Sequence, residues 1–96
     1  MRIEIDGSAI HSERDLHEFL SRALDFGPYY GANLSALWDR LSTDVERPID
    51  IVWKRAGLSR TALGESEFEK IRDLLLRVQA QDESFGWSDR FSVIFE

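Results

Sequence analysis

The residues best suited to chemistry lie in one stretch, PYYGANLSALWDRL. Two tyrosines and a glycine, Tyr29, Tyr30 and Gly31, precede a segment that begins at Asn33 and carries one acid, Asp39. Aromatic rings beside a carboxylate can bind a cationic surface, because the rings supply contact area and the carboxylate accepts charge-assisted hydrogen bonds. The two rings are not expected both to be buried, since each hydroxyl would then need a partner. A solvated helix preceded by a packed loop is equally compatible with these residue types.

Helical spacing over residues 34 to 45 separates an inward from an outward face. The inward face consists of apolar side chains at three- and four-residue steps: Leu34, Leu37, Leu41 and Val45. Ser35, Asp39 and Thr43 recur at four-residue steps and form the outward face. Trp38 adjoins the inward face and is expected to be partly covered. Tyrosine and tryptophan concentrate binding energy at interfaces, which favours recognition of a partner.

Catalytic and metal-binding sets are sparse. His11 and His17 are the only histidines, and their spacing on the chain does not bring them together on one helix face. There is no cysteine, which excludes disulfides and thiolate metal sites. The acid pairs at Asp82–Glu83 and Glu67–Glu69 are interpreted as solvated helix ends and loops. The sequence shows neither a nucleophile placed near a histidine nor a glycine-rich phosphate-binding loop. We therefore predict that the chain is not an enzyme and that it has no catalytic residue, no metal and no cofactor.

Composition and charge limit the class of protein. The 96 residues are 43% hydrophobic, enough for one small core, so we predict a single domain over residues 1–96. The net charge of −6 argues against direct nucleic-acid binding and favours a basic partner, although solubility alone also explains it. No signal peptide or membrane-spanning run is visible, and the lack of cysteine suits a reducing compartment. We therefore expect a cytoplasmic protein without membrane contact.

The predicted elements indicate an α/β architecture. Strands are predicted over residues 2–6, 49–53 and 90–95. The predicted helices are one capped by Ser12 and stopped at Phe26-Gly27-Pro28, one over 34–44 capped by Asn33, a short and ambiguous one over 55–63, and a longer one opened by a capping box at Ser66 and Glu69. A polar loop over 81–89 precedes the last strand. Strands joined by helical connections pair in parallel, which predicts a small three-stranded parallel β-sheet covered by about four helices.

The motif YYG-x-NL-x-ALWD-x-L closely resembles that of the barstar family, intracellular inhibitors of secreted ribonucleases. The resemblance extends to IDG at residues 5–7, DLH at residues 15–17, Pro48 and the IVW strand. It covers nearly the whole chain and is weakest after Gly57. It implies a three-stranded parallel sheet with about four helices, in agreement with the element order above. It also implies a cis peptide bond before Pro48.

The resemblance further implies a binding role for the loop and the second helix. Asp39 would replace the substrate phosphate in the active site of a ribonuclease, and Tyr29 would pack near the catalytic histidine of that enzyme. The implied partner-binding residues are Tyr29, Tyr30, Gly31, Asn33, Leu34, Ser35, Ala36, Trp38, Asp39, Thr43 and Asp44. The chain would inhibit without catalysing anything.

The expected partner is a basic ribonuclease, either secreted or the toxic domain of a larger toxin. We expect a 1:1 complex with a chain that is monomeric when free and that acts as an antitoxin or immunity protein. One alternative is an adaptor that binds a basic protein without nuclease activity. Another is a small phosphate-ester enzyme, which the missing catalytic set disfavours.

Departures from the family pattern favour a ribonuclease other than the family's best-known target. Ser35 stands where the member that defines the pattern has an acid. Thr43-Asp44 replaces Gly-Trp, and Asp44 could supply an acid close by. Arg77 and Gln81 stand where that member has acids late in its fourth helix. The chain would therefore keep the family's role and change its partner.

Residues 83–89, ESFGWSD, are interpreted as an insertion before the last strand. Its aromatic side chains, Phe85 and Trp87, would either cover the sheet edge as a lid or contact the partner. We favour the lid, because large exposed apolar patches are uncommon on a monomer.

Overall fold

The computed structural model describes residues 1–96. Three strands are present: β1 (Arg2–Asp6), β2 (Ile49–Lys54) and β3 (Phe91–Phe95). The four α-helices are α1 (Glu13–Ala23), α2 (Leu34–Asp39), α3 (Ala56–Leu63) and α4 (Glu65–Ser84). A 3-10 turn, Gly7–Ala9, follows β1, and a π-helical segment, Arg40–Asp44, continues α2.

The sheet has the order β1-β2-β3, and both strand pairs are parallel. Ile51 on the central strand lies opposite Ile3 on one side and Val93 on the other. Because side chains alternate along a strand, these residues share one face, and that face forms the core beneath the helices. The predicted three-stranded parallel sheet with four helices is confirmed.

The carboxyl end of the sheet is closed by a buried hydrogen-bond chain. The Trp53 indole N–H donates to Ser59 Oγ at 3.0 Å, and the Ser59 hydroxyl donates to the Gly7 carbonyl at 2.8 Å. A Cβ on Gly7 would lie 2.0 Å from the Arg55 carbonyl oxygen, so only glycine fits there. These contacts join the end of β1 to the start of α3.

The junction between α3 and α4 differs from the prediction. The capping box at Ser66 is wrong, because α4 begins at Glu65 and Ser66 is already helical. Gly64, at φ 91°, ends α3 by donating to the Arg60 carbonyl and accepts the first backbone bond of α4 from Phe68. A glycine in this conformation lets one helix follow another without a linker.

The carboxyl end of α4 also differs from the prediction. Residues 81–84 are helical rather than part of a polar loop. Asp82 is fully buried, so its interpretation as a solvated acid is wrong as well. Its carboxylate accepts hydrogen bonds from Arg47 and from the Phe91 backbone N–H, which tie the last turn of α4 to the start of β3.

The second helix is shorter than predicted, since α-helical geometry stops at Asp39 and residues 40–44 are π-helical. The Ser42 hydroxyl donates to the Trp38 carbonyl at 2.6 Å, and the Thr43 hydroxyl donates to the Asp39 carbonyl at 2.5 Å. Hydroxyls that bond back to the preceding turn compete with backbone donors and distort a helix. Leu41 nevertheless stays fully buried through the wider turn.

The 83–89 segment does not cover the sheet. Phe85 and Trp87 are 56% and 43% exposed, and their ring centroids lie 5.1 Å apart. They pack on each other and are not among the side chains packed against the core, so the lid interpretation is wrong. Nearby, the Arg47-Pro48 peptide bond is cis, as the family resemblance implied.

Candidate protein-binding surface

The loop before α2 is anchored through Tyr30. Its hydroxyl lies 2.6 Å from Nδ1 of His17 on α1, and its ring centroid lies 4.8 Å from that of Phe26. His17 is buried, and Tyr30 is half-buried against the core. Tyr30 therefore faces inward and fixes the loop to the first helix.

The surroundings of the Tyr30 hydroxyl shift its pKa. Burial, reinforced by the nearby Glu13 carboxylate and opposed by Arg40, raises the pKa of Tyr30 to about 12. The phenol thus keeps its proton near neutral pH and is available to donate to Nδ1 of His17. Nε2 lies 3.5 Å from the Glu13 carboxylate without making a hydrogen bond.

Tyr29 shows the opposite behaviour to its neighbour. Its side chain is 91% exposed and makes no hydrogen bond within the chain. The backbone here adopts a left-handed conformation at Ala32 (φ 52°) and not at Gly31. One tyrosine is therefore anchored and the other is presented, consistent with the expectation that the two rings are not both buried.

Asn33 sets the start and direction of α2. Its side-chain carbonyl accepts a hydrogen bond from the Ala36 backbone N–H at 2.8 Å, so the predicted N-cap is confirmed. Leu37 is fully buried behind it, and Leu34 is half-buried. The short helix is held at its start by the cap and along one side by the core.

Asp39 is a free carboxylate. It is exposed, and its side chain makes no hydrogen bond or ion pair within the chain. Ser35 and Thr43 are exposed as predicted, but the Thr43 hydroxyl is already bonded to the backbone. Asp44 lies 3.7 Å from Arg40, so part of its charge is neutralised. Asp39 is consequently the acid of this surface whose charge is available to a partner.

Comparison with known proteins identifies the family. A family model described as "Barstar (barnase inhibitor)" matches residues 1–93. The chain belongs to the barstar family. It is also similar to a protein of Bacillus subtilis (strain 168) named "Putative ribonuclease inhibitor YrdF", with 38% identity over 95 residues that cover 99% of this chain and 98% of that protein.

Membership of the barstar family confirms the resemblance seen in the motif. The family consists of inhibitors that bind a ribonuclease rather than enzymes, so the chain is not an enzyme. None of the helices is long and apolar enough to cross a membrane.

The predicted partner-binding residues occupy one continuous segment but differ in exposure. The exposed ones are Tyr29, Gly31, Asn33, Ser35, Asp39, Thr43 and Asp44. The half-buried ones are Tyr30, Leu34, Ala36 and Trp38. Trp38 packs against the core and carries the Arg77 guanidinium 5.5 Å from its ring centroid. The half-buried residues therefore link this surface of the barstar-family chain to its core.

Two supporting contacts were missed from sequence. His17 holds Tyr30 from 13 residues away, and Arg47 holds Asp82 from 35 residues away. The Arg47 Nε lies 2.7 Å from Asp82 Oδ2, while another guanidinium N–H donates to the Val45 carbonyl at 2.7 Å. Arg47 thereby secures the chain just after the π-helical segment. No periodic pattern links such distant positions; DLH in the family resemblance was the one signal available for His17.

Proposed function

We propose that this barstar-family chain inhibits a ribonuclease by blocking its active site with the segment over residues 29–44. The observation that carries the proposal is the free carboxylate of Asp39 on an exposed and well-anchored helix. A carboxylate left without a partner inside its own chain is available to a cationic partner at little rearrangement cost.

Asp39 would stand in for a phosphate group of RNA. A ribonuclease must bind the phosphate at the scissile bond, so its active site presents cationic hydrogen-bond donors. A carboxylate offers those donors two anionic oxygens and contains no phosphodiester bond to cleave. Occupation of that site by Asp39 would therefore exclude RNA without turnover.

The loop and helix would deliver Asp39 in a fixed geometry. The Asn33 cap and the contact between Tyr30 and His17 hold the segment before it meets the enzyme. Preorganisation reduces the conformational entropy lost on binding. Tyr30 is in this scheme a positioning residue, whereas the exposed ring of Tyr29 supplies contact area beside the site.

The remaining predicted contacts would lie around Asp39. Gly31 and Asn33 would make backbone contacts at the loop. Thr43 and Asp44 would make contacts at the C-terminal end of the segment, where the Asp44 carboxylate also lies 3.7 Å from Arg40. Leu34, Ser35, Ala36 and Trp38 would supply packing along α2. The surface would thus combine one free acid with polar and aromatic side chains, as is typical of binding sites.

The partner would be a basic ribonuclease bound 1:1. A net charge of −6 on this chain would accelerate its encounter with a basic enzyme. An inhibitor of this kind would protect the cell that makes the ribonuclease, which corresponds to a cytoplasmic antitoxin or immunity protein.

The test is an RNA-cleavage assay with and without the purified chain. The enzymes to assay are barnase and the basic ribonucleases recovered on the immobilised chain from its source organism. We expect one of them to lose activity at a 1:1 ratio and to regain it when Asp39→Ala replaces the wild-type chain. Asp50→Ala, on the sheet face opposite the core, is the matched control and should inhibit fully. Recovery of a basic partner without ribonuclease activity would instead support an adaptor.

A further inference from the structure

A second feature adjoins the candidate surface, between α2 and α4. It is a groove of about 620 Å³, which we call the α2–α4 groove. Its lining residues are Leu34, Ser35, Trp38, Lys70, Asp73, Leu74 and Arg77. Ser35 and Trp38 are among the predicted partner-binding residues, so the groove continues the surface that carries Asp39.

The charge of this groove is opposite to that of the chain as a whole. Lys70 and Arg77 lie seven residues apart on one side of α4, and neither forms an ion pair within the chain. The one acid in the lining, Asp73, already lies 3.1 Å from Arg72. Most other cations of this acidic chain are paired, whereas these two are free at the same place.

Arg77 is positioned before any partner arrives. Its guanidinium carbon lies 5.5 Å from the centroid of the Trp38 ring, which is itself packed against the core. An arginine stacked on an aromatic ring keeps its N–H edge available and can bind a carboxylate through two parallel hydrogen bonds. The stacking therefore leaves a cationic donor set in a defined orientation.

The walls of the groove favour a charged contact. Leu34, Trp38 and Leu74 give the groove an apolar side, so a group that enters displaces water from an apolar surface. Charge attraction strengthens as water is removed. Ser35 contributes no acid that could neutralise Lys70 or Arg77.

We propose that the α2–α4 groove binds an acidic segment of the ribonuclease, with a carboxylate from that enzyme held by Arg77 and Lys70. The proposal rests on the proposed function and adds the chemistry of a second contact. Asp39 would bind cationic groups of the enzyme, and Arg77 would bind one of its carboxylates. Neighbouring contacts of opposite sign fix the orientation of a complex and reject partners without the matching pattern.

Three charge changes test the groove against the ribonuclease that the chain inhibits. Arg77→Glu is expected to raise Kd by about 30-fold, and Lys70→Glu by about tenfold, because each places like charges together. Ser35→Asp is expected to raise Kd by about threefold by neutralising the cations from α2. An acid in the first turn of a helix does not destabilise it, so this variant separates binding from folding.

The matched control is Arg2→Glu, which makes the same change of net charge on the sheet face opposite the core. It should change Kd by less than about twofold, since exposed and distant charges contribute little. Circular dichroism and thermal unfolding verify that each variant is folded.

The outcomes distinguish this proposal from the proposed function. If Asp39→Ala abolishes inhibition while Arg77→Glu and Ser35→Asp bind as wild type or tighter, the groove proposal is overturned and the blocking mechanism stands. If no ribonuclease is bound, both fail together. If sedimentation shows a dimer of the free chain that Arg77→Glu dissociates, the occupant is a second copy and the proposal is again overturned.

Discussion

Two aspartates of this barstar-family chain occupy opposite environments. Asp82, at the end of α4, is fully buried and accepts hydrogen bonds from Arg47 and from the Phe91 backbone. Asp39, at the end of α2, is exposed and accepts no hydrogen bond through its side chain. The same residue type therefore stabilises the fold at one position and is available to bind a partner at the other.

The difference separates stability from recognition. A buried acid must be paired, since an uncompensated charge in the interior is strongly destabilising. An exposed acid without a partner contributes little to the free energy of folding, and it remains able to bind a cation on another molecule. The region around Asp82 should accordingly be sensitive in folding assays, and the region around Asp39 should be sensitive in binding assays.

The largest expected effect is on folding. Asp82→Ala should lower the free energy of unfolding by about 3–5 kcal/mol, because Arg47 would be left as an unpaired buried charge. Urea denaturation measures this loss. Asp39→Ala is the control and should stay within about 0.5 kcal/mol of wild type. Comparable losses in both variants would remove the distinction between the two acids.

The next effect is on binding. Asp39→Ala should weaken binding of the inhibited ribonuclease by about 2–5 kcal/mol, the general range for desolvated charge pairs, to which the barnase–barstar complex itself contributes. Isothermal titration calorimetry measures the change. Asp50→Ala should bind as wild type. An unchanged affinity for Asp39→Ala would exclude this acid as the phosphate substitute.

The two tyrosines extend the comparison within one loop. Tyr30→Phe should cost about 1–2 kcal/mol of folding stability, because the His17 ring would lose its partner in the interior. Tyr29→Phe is the matched control and should not change the melting curve, since its hydroxyl is unbonded. Tyr29→Ala should instead weaken ribonuclease binding alone. Equal effects of the two Phe variants on stability would show that Tyr30 does not anchor the loop.

The smallest expected effect is a change of folding stability with pH. Burial would raise the pKa of Asp82, but hydrogen bonds and the charge of Arg47 outweigh it, so the net shift is downward. A lowered pKa means that the folded state favours the ionised acid. Its contribution is complete above the unfolded pKa of about 4 and is lost as pH falls towards the folded pKa. Denaturation between neutral pH and pH about 2 should show this decline, and Asp82→Asn should flatten it.

Local rules predicted the elements that depend on local contacts. The caps at Ser12 and Asn33 and the alternation of the strands follow from hydrogen bonds and periodicity within a few residues. The extension of α4 to Ser84 was missed because it depends on a contact between Asp82 and Arg47, 35 residues apart. The π-helical segment was missed because hydroxyl bonds altered a helix whose apolar spacing looked regular.

The candidate surface could also be predicted only in part, because some of its contacts join residues that are far apart in the sequence. Helical spacing placed Asp39 outside and Leu37 inside, and both positions are as expected. The roles of Tyr29 and Tyr30 could not be separated, because only the fold brings His17 to one of them. The cations at Lys70 and Arg77 reach α2 through packing between two helices and have no local sequence pattern.

The central claim is that Asp39 and its segment occupy the active site of a ribonuclease in place of RNA. Steady-state inhibition kinetics with a short RNA substrate test it most directly. If the claim is correct, the apparent inhibition constant of this chain rises linearly with substrate concentration, by the factor of one plus the ratio of substrate concentration to KM that competition for one site requires. An inhibition constant that does not change with substrate concentration would show that RNA and the chain bind at separate sites, and would contradict the account.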